Sequence, residues 1–177
     1  MTQSLHNKTK QGFTLIETTV YLALFSFIMG GVVVSAFQVF ESTGRSQTRA
    51  MLQEEGDFLI AKIDWAVSGI QSVNAPVTPS LGTGCTQSDT LSVVKWDSTI
   101  GTVVVNLSGG NIVLARNGNP AKSLNNSNTT ISNLAFKHCF IGGNNPESVQ
   151  ASFTLSARTP NGVIMNRDFF TSDYIRK

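Results

Sequence analysis

The longest uninterrupted pattern in the chain is apolar. Residues 18–40 are 23 consecutive positions without Asp, Glu, Lys or Arg. A helix rises about 1.5 Å per residue, so this run covers roughly 35 Å and can cross a bilayer once. Gly30-Gly31 lies within it, and membrane helices tolerate glycine and use small residues for close packing. The chain turns polar at Glu41, and the helix is read through Gly44. Beyond Met51, the positions Leu52, Leu59, Ile63, Ala66 and Ile70 recur at spacings of seven, four, three and four, which marks one face of an amphipathic helix. Glu54, Glu55, Asp57, Lys62 and Asp64 fill much of the remaining circumference as a solvated face. Asn74-Ala75-Pro76 is expected to end the helix, because proline disfavours helical geometry in the residue before it.

After a Pro- and Gly-rich loop over 75–84 the period changes to two and β-branched residues take over. Strands are expected over 91–96, 102–107, 111–115, 131–140, 149–158 and 163–174. Ser108-Gly109-Gly110 and Pro160-Asn161-Gly162 supply hairpin turns. Residues 117–130, rich in Asn, Ser and Thr, read as a long mobile loop. The fold class is therefore α+β: one long N-terminal helix whose second half packs on a C-terminal antiparallel β-sheet. The segments are a polar leader (1–12), a membrane-grade helix (13–40), its amphipathic continuation (41–75) and a β-rich head (76–177).

One acid breaks the apolar logic. Glu17 stands at the head of the membrane-grade run, where a buried carboxylate costs on the order of 2.5–3.5 kcal/mol and calls for a partner. The plain reading is a helix N-terminal acid at headgroup level, favoured by the helix dipole. The flanks favour more than that: the leader carries Lys8 and Lys10 and no acid, and ends in Gly12 followed by Phe13. An ordinary secretory signal would be cut after the apolar run, yet no convincing small-x-small site with a polar start follows Phe40.

The hexapeptide Gly12-Phe13-Thr14-Leu15-Ile16-Glu17 resembles the cleavage and methylation signal of type IV pilins and type II secretion pseudopilins, and every position matches. The resemblance implies that a prepilin peptidase cuts between Gly12 and Phe13, that Phe13 becomes the N-methylated terminus, and that Glu17 is retained. It also implies a pilin-like fold and a filament in which Glu17 of one subunit pairs with the Phe13 amine of a neighbour. The implied partners are other minor and major pilins or pseudopilins, the prepilin peptidase, the inner-membrane assembly platform, and the lipid bilayer before assembly. The later segments are similar to J-type minor pseudopilins: the helix stretch 58–66, the two strands after Ser88, Asn133-Leu134-Ala135-Phe136, and the closing Tyr174-Ile175-Arg176.

Composition narrows the function. The formal charge of +2 resides in the leader, since the chain beyond residue 12 balances 11 basic against 11 acidic side chains. That balance argues against a nucleic-acid binder, and a basic leader places the leader in the cytoplasm and the head outside it. Cys85 and Cys139 both fall in the exported part, where one disulfide is expected, with two unrelated buried thiols as the alternative.

No catalytic constellation emerges, and no cofactor or metal is called for. His138 is the only histidine beyond the leader, and its neighbour Cys139 would point to the opposite face of a strand, so the pair makes no metal site. Asp89, Asp97 and Glu147 are scattered near turns. Trp65 and Trp96 read as core or interface aromatics, and Arg116, Lys122 and Lys137 as solvated surface before a DNA-binding patch.

The expected function is thus a non-enzymatic minor pilin or pseudopilin, assembled at or near a filament tip. A major subunit, a DNA-capturing competence pilin, and a membrane-anchored periplasmic module that never polymerises are the rivals.

Overall fold

The computed structural model describes residues 12, 14–77, 84–140 and 147–175. Helix α1 spans Leu15–Val67 and is followed, among the described residues, by nine strands. The chain divides into two units, 1–43 and 44–177. In the first, Thr14 starts the helix and every large apolar side chain from Leu15 to Phe40 stands exposed, from 47% at Met29 to 83% at Leu15.

In the second unit the strands are β1 Ile70–Ala75, β2 Gly84–Ser88, β3 Leu91–Lys95, β4 Thr102–Ser108, β5 Asn111–Arg116, β6 Lys122–Ser123, β7 Thr129–Phe140, β8 Ser148–Arg158 and β9 Ile164–Tyr174. They form two antiparallel sheets, β1-β3-β4-β5-β6 and β2-β7-β8-β9, where a single sheet was expected. Leu52, Leu59, Ile63, Ala66 and Val67 of α1 share one buried cluster with Leu91, Val93, Val103, Val105 and Ile112 of the first sheet. Phe136, Val149, Ala151, Phe153 and Leu155 of the second sheet join the same cluster. The helix face read from the spacing is therefore the one that meets both sheets.

That face holds two buried residues that apolar spacing does not mark, Thr48 and Gly56. Thr48 turns its hydroxyl onto the Gly44 carbonyl at 3.0 Å. Gly56 is required by a close approach: a Cβ there would stand 2.0 Å from the ring of Phe169, which is buried and stacked on Phe153 at 5.4 Å. Alanine would gain about 1 kcal/mol of helix propensity. Displacing a stacked core ring costs more, so Gly56→Ala is expected to destabilise the unit by roughly 1–3 kcal/mol in urea unfolding.

The helix ends sooner than the proline suggests. Gly69 adopts φ +57°, a left-handed conformation that glycine takes without steric penalty, and the chain turns into β1. Ile70 is still buried, but as the first residue of a strand paired with Lys95. Its position four after Ala66 continues the helical spacing by coincidence. Lys95, only 6% exposed, replaces a local cap: its ammonium donates to the Trp65 carbonyl at 2.5 Å and to that of Ser68. A cation at a helix C-terminus satisfies orphan carbonyls and meets the negative end of the dipole. Burial, then the nearby Arg116 charge, lower the Lys95 pKa from its ordinary value. Methionine would take the ammonium away from the Trp65 and Ser68 carbonyls, so Lys95→Met is expected to lose about 1–2 kcal/mol of stability in chemical denaturation.

The hairpin at Gly109-Gly110 has φ of +57° and +78° at its two central residues, the primed geometry that suits strand twist. In β7 the register shifts between Ser132 and Ala135, where Asn133 has φ +55°. The bulge switches the buried parity from Thr129 and Ile131 to Leu134, Phe136 and His138, which keeps a long strand facing one core. Residues 117–130 are not a free loop: they contain β6 and the buried Asn125. The Asn125 side chain accepts from Ile112 N at 3.0 Å and donates to Asn111 Oδ1 at 2.8 Å and to the Thr129 carbonyl at 3.2 Å. Glu55, expected on a solvated face, accepts from Asn126 N at 2.8 Å and from its side-chain amide at 3.0 Å.

On β9, Thr171 Oγ1 donates to Asp64 Oδ1 at 2.8 Å. Burial, then the Asp64 charge, push the Asp173 carboxyl above its ordinary value. A raised carboxylate pKa weakens the fold as pH rises through the unfolded value and onward through the folded one. Asp173→Asn is therefore expected to be more stable than wild type at pH 7, with the difference vanishing below about pH 4. Melting curves across that range check it.

Candidate functional site

The site that sequence reasoning singles out is the entry to α1. Gly12 is exposed and Phe13 lies outside the described residues, as does the leader up to residue 11. Thr14 is the N-cap: its carbonyl accepts from Glu17 N at 3.1 Å and Thr18 N at 3.2 Å, and its hydroxyl accepts from Glu17 N at 3.4 Å. Thr14 and Glu17 thus stand in the Thr-x-x-Glu spacing of a capping box, a signal present in the sequence itself. Glu17 is half-buried in the first turn, where the helix dipole favours a negative charge.

Behind it the helix disposes of its hydroxyls internally. Thr18 and Thr19 donate to the carbonyls of Leu15 and Ile16, each at 2.8 Å. Ser26 and Ser35 donate to those of Leu22 and Gly31 at 2.8 and 2.9 Å. A hydroxyl bonded to its own helix needs no water, which is what a hydrocarbon environment demands. The apolar window has a mean hydropathy of 2.2 and none of it is buried, so by length and composition this helix can span a membrane. Such a surface does not persist in water; it is complementary to lipid or to apolar helices.

Cys85 and Cys139 are joined by a disulfide, S–S 2.04 Å, between directly paired residues of β2 and β7. It lies on the second unit and is structural in its surroundings. His138, 1% exposed, directs Nδ1 at the Pro76 carbonyl, 3.1 Å away, and Nε2 at Glu147 Oε2, 3.4 Å away. Asp97 is held in a local turn, accepting from Thr99 N at 2.9 Å and its hydroxyl at 2.6 Å, and these bonds lower its pKa. Among the described residues no three His, Cys, Asp or Glu side chains gather as a metal group.

The aromatics separate. Trp96 is 62% exposed, whereas Trp65 carries Lys95 Nζ at 4.8 Å and Arg116 Cζ at 4.4 Å over its ring. Arg116 and Lys122 line one cavity with Lys62, and Lys137 does not contribute to it. The cationic grouping that sequence order suggests is therefore split, and Lys62 of the helix takes the third place.

No curated protein and no solved structure matches the chain. Residues 7–33 match the family model described as the prokaryotic N-terminal methylation motif, which, with the exposed apolar helix behind it, supports a membrane-anchored structural chain of the type IV pilin and pseudopilin kind, processed by a prepilin peptidase.

Proposed function

We propose that the chain is a minor pilin or pseudopilin of J-like type, a structural subunit at or near the tip of a type IV pilus or a type II secretion pseudopilus. The observation that carries this reading is the methylation motif at residues 7–33 leading directly into a Thr14-capped helix with a wholly exposed apolar surface. Before assembly the helix crosses the inner membrane once, with the basic leader in the cytoplasm and residues 44–177 outside. The peptidase cuts between Gly12 and Phe13, and Phe13 is N-methylated. The subunit then leaves the bilayer through its helix, exchanging lipid for neighbouring pilin helices. Moving a carboxylate and an amine into that environment is costly for each alone, and pairing Glu17 with a neighbour's Phe13 amine meets both needs while fixing the register. The work is assembly, and its partners are other pilins or pseudopilins, the peptidase and the assembly platform.

The test is fractionation of cells with and without a working prepilin peptidase. The chain is expected in sheared filaments only when the peptidase is present, at far fewer copies than the major subunit. Full retention in the membrane in both strains would favour an anchored periplasmic module, and copy numbers equal to the filament's main component would make it a major subunit.

A further inference from the structure

A cavity of about 590 Å³ opens between α1 and the β5–β6 edge of the first sheet, and three cations, Lys62, Arg116 and Lys122, line it. Its lining includes Leu114, Leu124 and Pro120 and, among the described residues, no carboxylate. Two of the cations are held by aromatic rings: Lys62 Nζ lies 5.3 Å from the Phe58 centroid and Arg116 Cζ 4.4 Å from that of Trp65. On the far side of Leu124 a second groove is lined by Glu54 and Glu55, so the charge changes sign across one leucine. Glu55 is held on that side by the backbone N–H and side-chain amide of Asn126.

We propose that this cavity binds a short acidic peptide segment of a different polypeptide, with carboxylates among Lys62, Arg116 and Lys122 and an apolar side chain against Leu114 and Leu124. Apolar lining with a few convergent charges, at this volume, suits one or two side chains rather than a flat surface. Charge complementarity selects an anion, and the guanidinium offers a fork that matches a carboxylate. Nucleic acid fits less well, because among the described residues no aromatic side chain lines the cavity for base stacking and Trp65 already carries two cations. The Glu54 side of the ridge orients the segment, repelling its acidic residues toward the cations. This inference stands whether or not the chain polymerises.

Full-length protein in nanodiscs of zwitterionic lipid is titrated with a fluorescein-labelled decapeptide of alternating glutamate and leucine. Saturable one-to-one binding is expected, at least tenfold weaker for Lys122→Glu and for Arg116→Gln, and unchanged for Lys137→Gln. Because Arg116 also covers Trp65, the exposed Lys122 is the deciding position. A decapeptide of glutamate and glycine should bind several-fold less tightly, and one of lysine and leucine not at all. Failure of the glutamate–leucine peptide to saturate, equal loss in Lys137→Gln, or no loss in Lys122→Glu would overturn the proposal. Tighter binding of a ten-nucleotide oligothymidylate would overturn it in favour of a nucleic-acid site.

Discussion

Replacing Glu17 with valine is expected to leave the chain membrane-inserted and cleaved, while its share of the filament falls by two orders of magnitude or more. Breaking a buried ion pair by removing one member costs roughly 3–5 kcal/mol, because the remaining charge is left without a partner. In the assembled state that orphan would be the Phe13 amine of the neighbouring subunit. The same substitution has little to disturb in the isolated chain. Thr14 caps the helix through the backbone N–H of residue 17, which valine retains, and the dipole interaction of a half-buried first-turn acid is worth only about 0.3–1 kcal/mol. Membrane insertion becomes easier once a carboxylate is gone. The large effect therefore falls on assembly and the small one on folding. Glu17→Gln separates charge from shape, and it too should assemble poorly. Quantitative immunoblotting of sheared filaments against membranes reads the ratio; wild-type incorporation by Glu17→Val would remove the pairing role from the account.

The second large effect is expected in the other unit. Cys85→Ser should lower the melting temperature by roughly 10 °C or more, and a reducing agent should do the same to wild type. The bridge spans 54 residues, which corresponds to about 4 kcal/mol in the chain-entropy model. Strand β2 has little else to hold it. Its sequence Gly84-Cys85-Thr86-Gln87-Ser88 buries no residue fully, and it lies at the edge of its sheet beside β7. Hydrogen exchange should accordingly show protection lost first at 84–88, while β7, paired with β8 over most of its length, stays protected. A melting temperature within about 2 °C of wild type would show the bridge to be dispensable. The same dependence makes the fold suited to an oxidising compartment.

The parts of the fold that could be read from the sequence are those whose signal is periodic. Leu52, Leu59, Ile63 and Ala66 repeat on one helix face, and β3, β4, β5 and β8 alternate in burial, so each of these elements announces itself locally. What escaped depends on contacts distant in sequence or on polar residues. Ile70 keeps the helical spacing, and only the left-handed Gly69 and the pairing with β3 turn it into a strand. Strand β2 is polar, so nothing in its own residues distinguishes it from a loop. Among the Asn, Ser and Thr residues of 117–130, composition cannot tell that Asn125 ties β5 to the start of β7 or that Asn126 holds Glu55 of the helix. Gly56 has meaning only once Phe169 arrives above it, more than a hundred positions later. At the N-terminus the reverse holds. The methylation motif matched at residues 7–33 is contiguous, so neighbouring residues alone carry its signal, whereas the Thr14–Glu17 capping spacing was in the sequence and passed over.

The central claim is that Gly12-Phe13 is a processing junction. Intact-mass and N-terminal peptide mass spectrometry of the protein taken from its native membrane tests it most directly. The account predicts a mature chain that begins at Phe13 with one methyl group on its amine. A chain still beginning at Met1, in cells with a working prepilin peptidase, would contradict it and leave an uncleaved membrane anchor in its place.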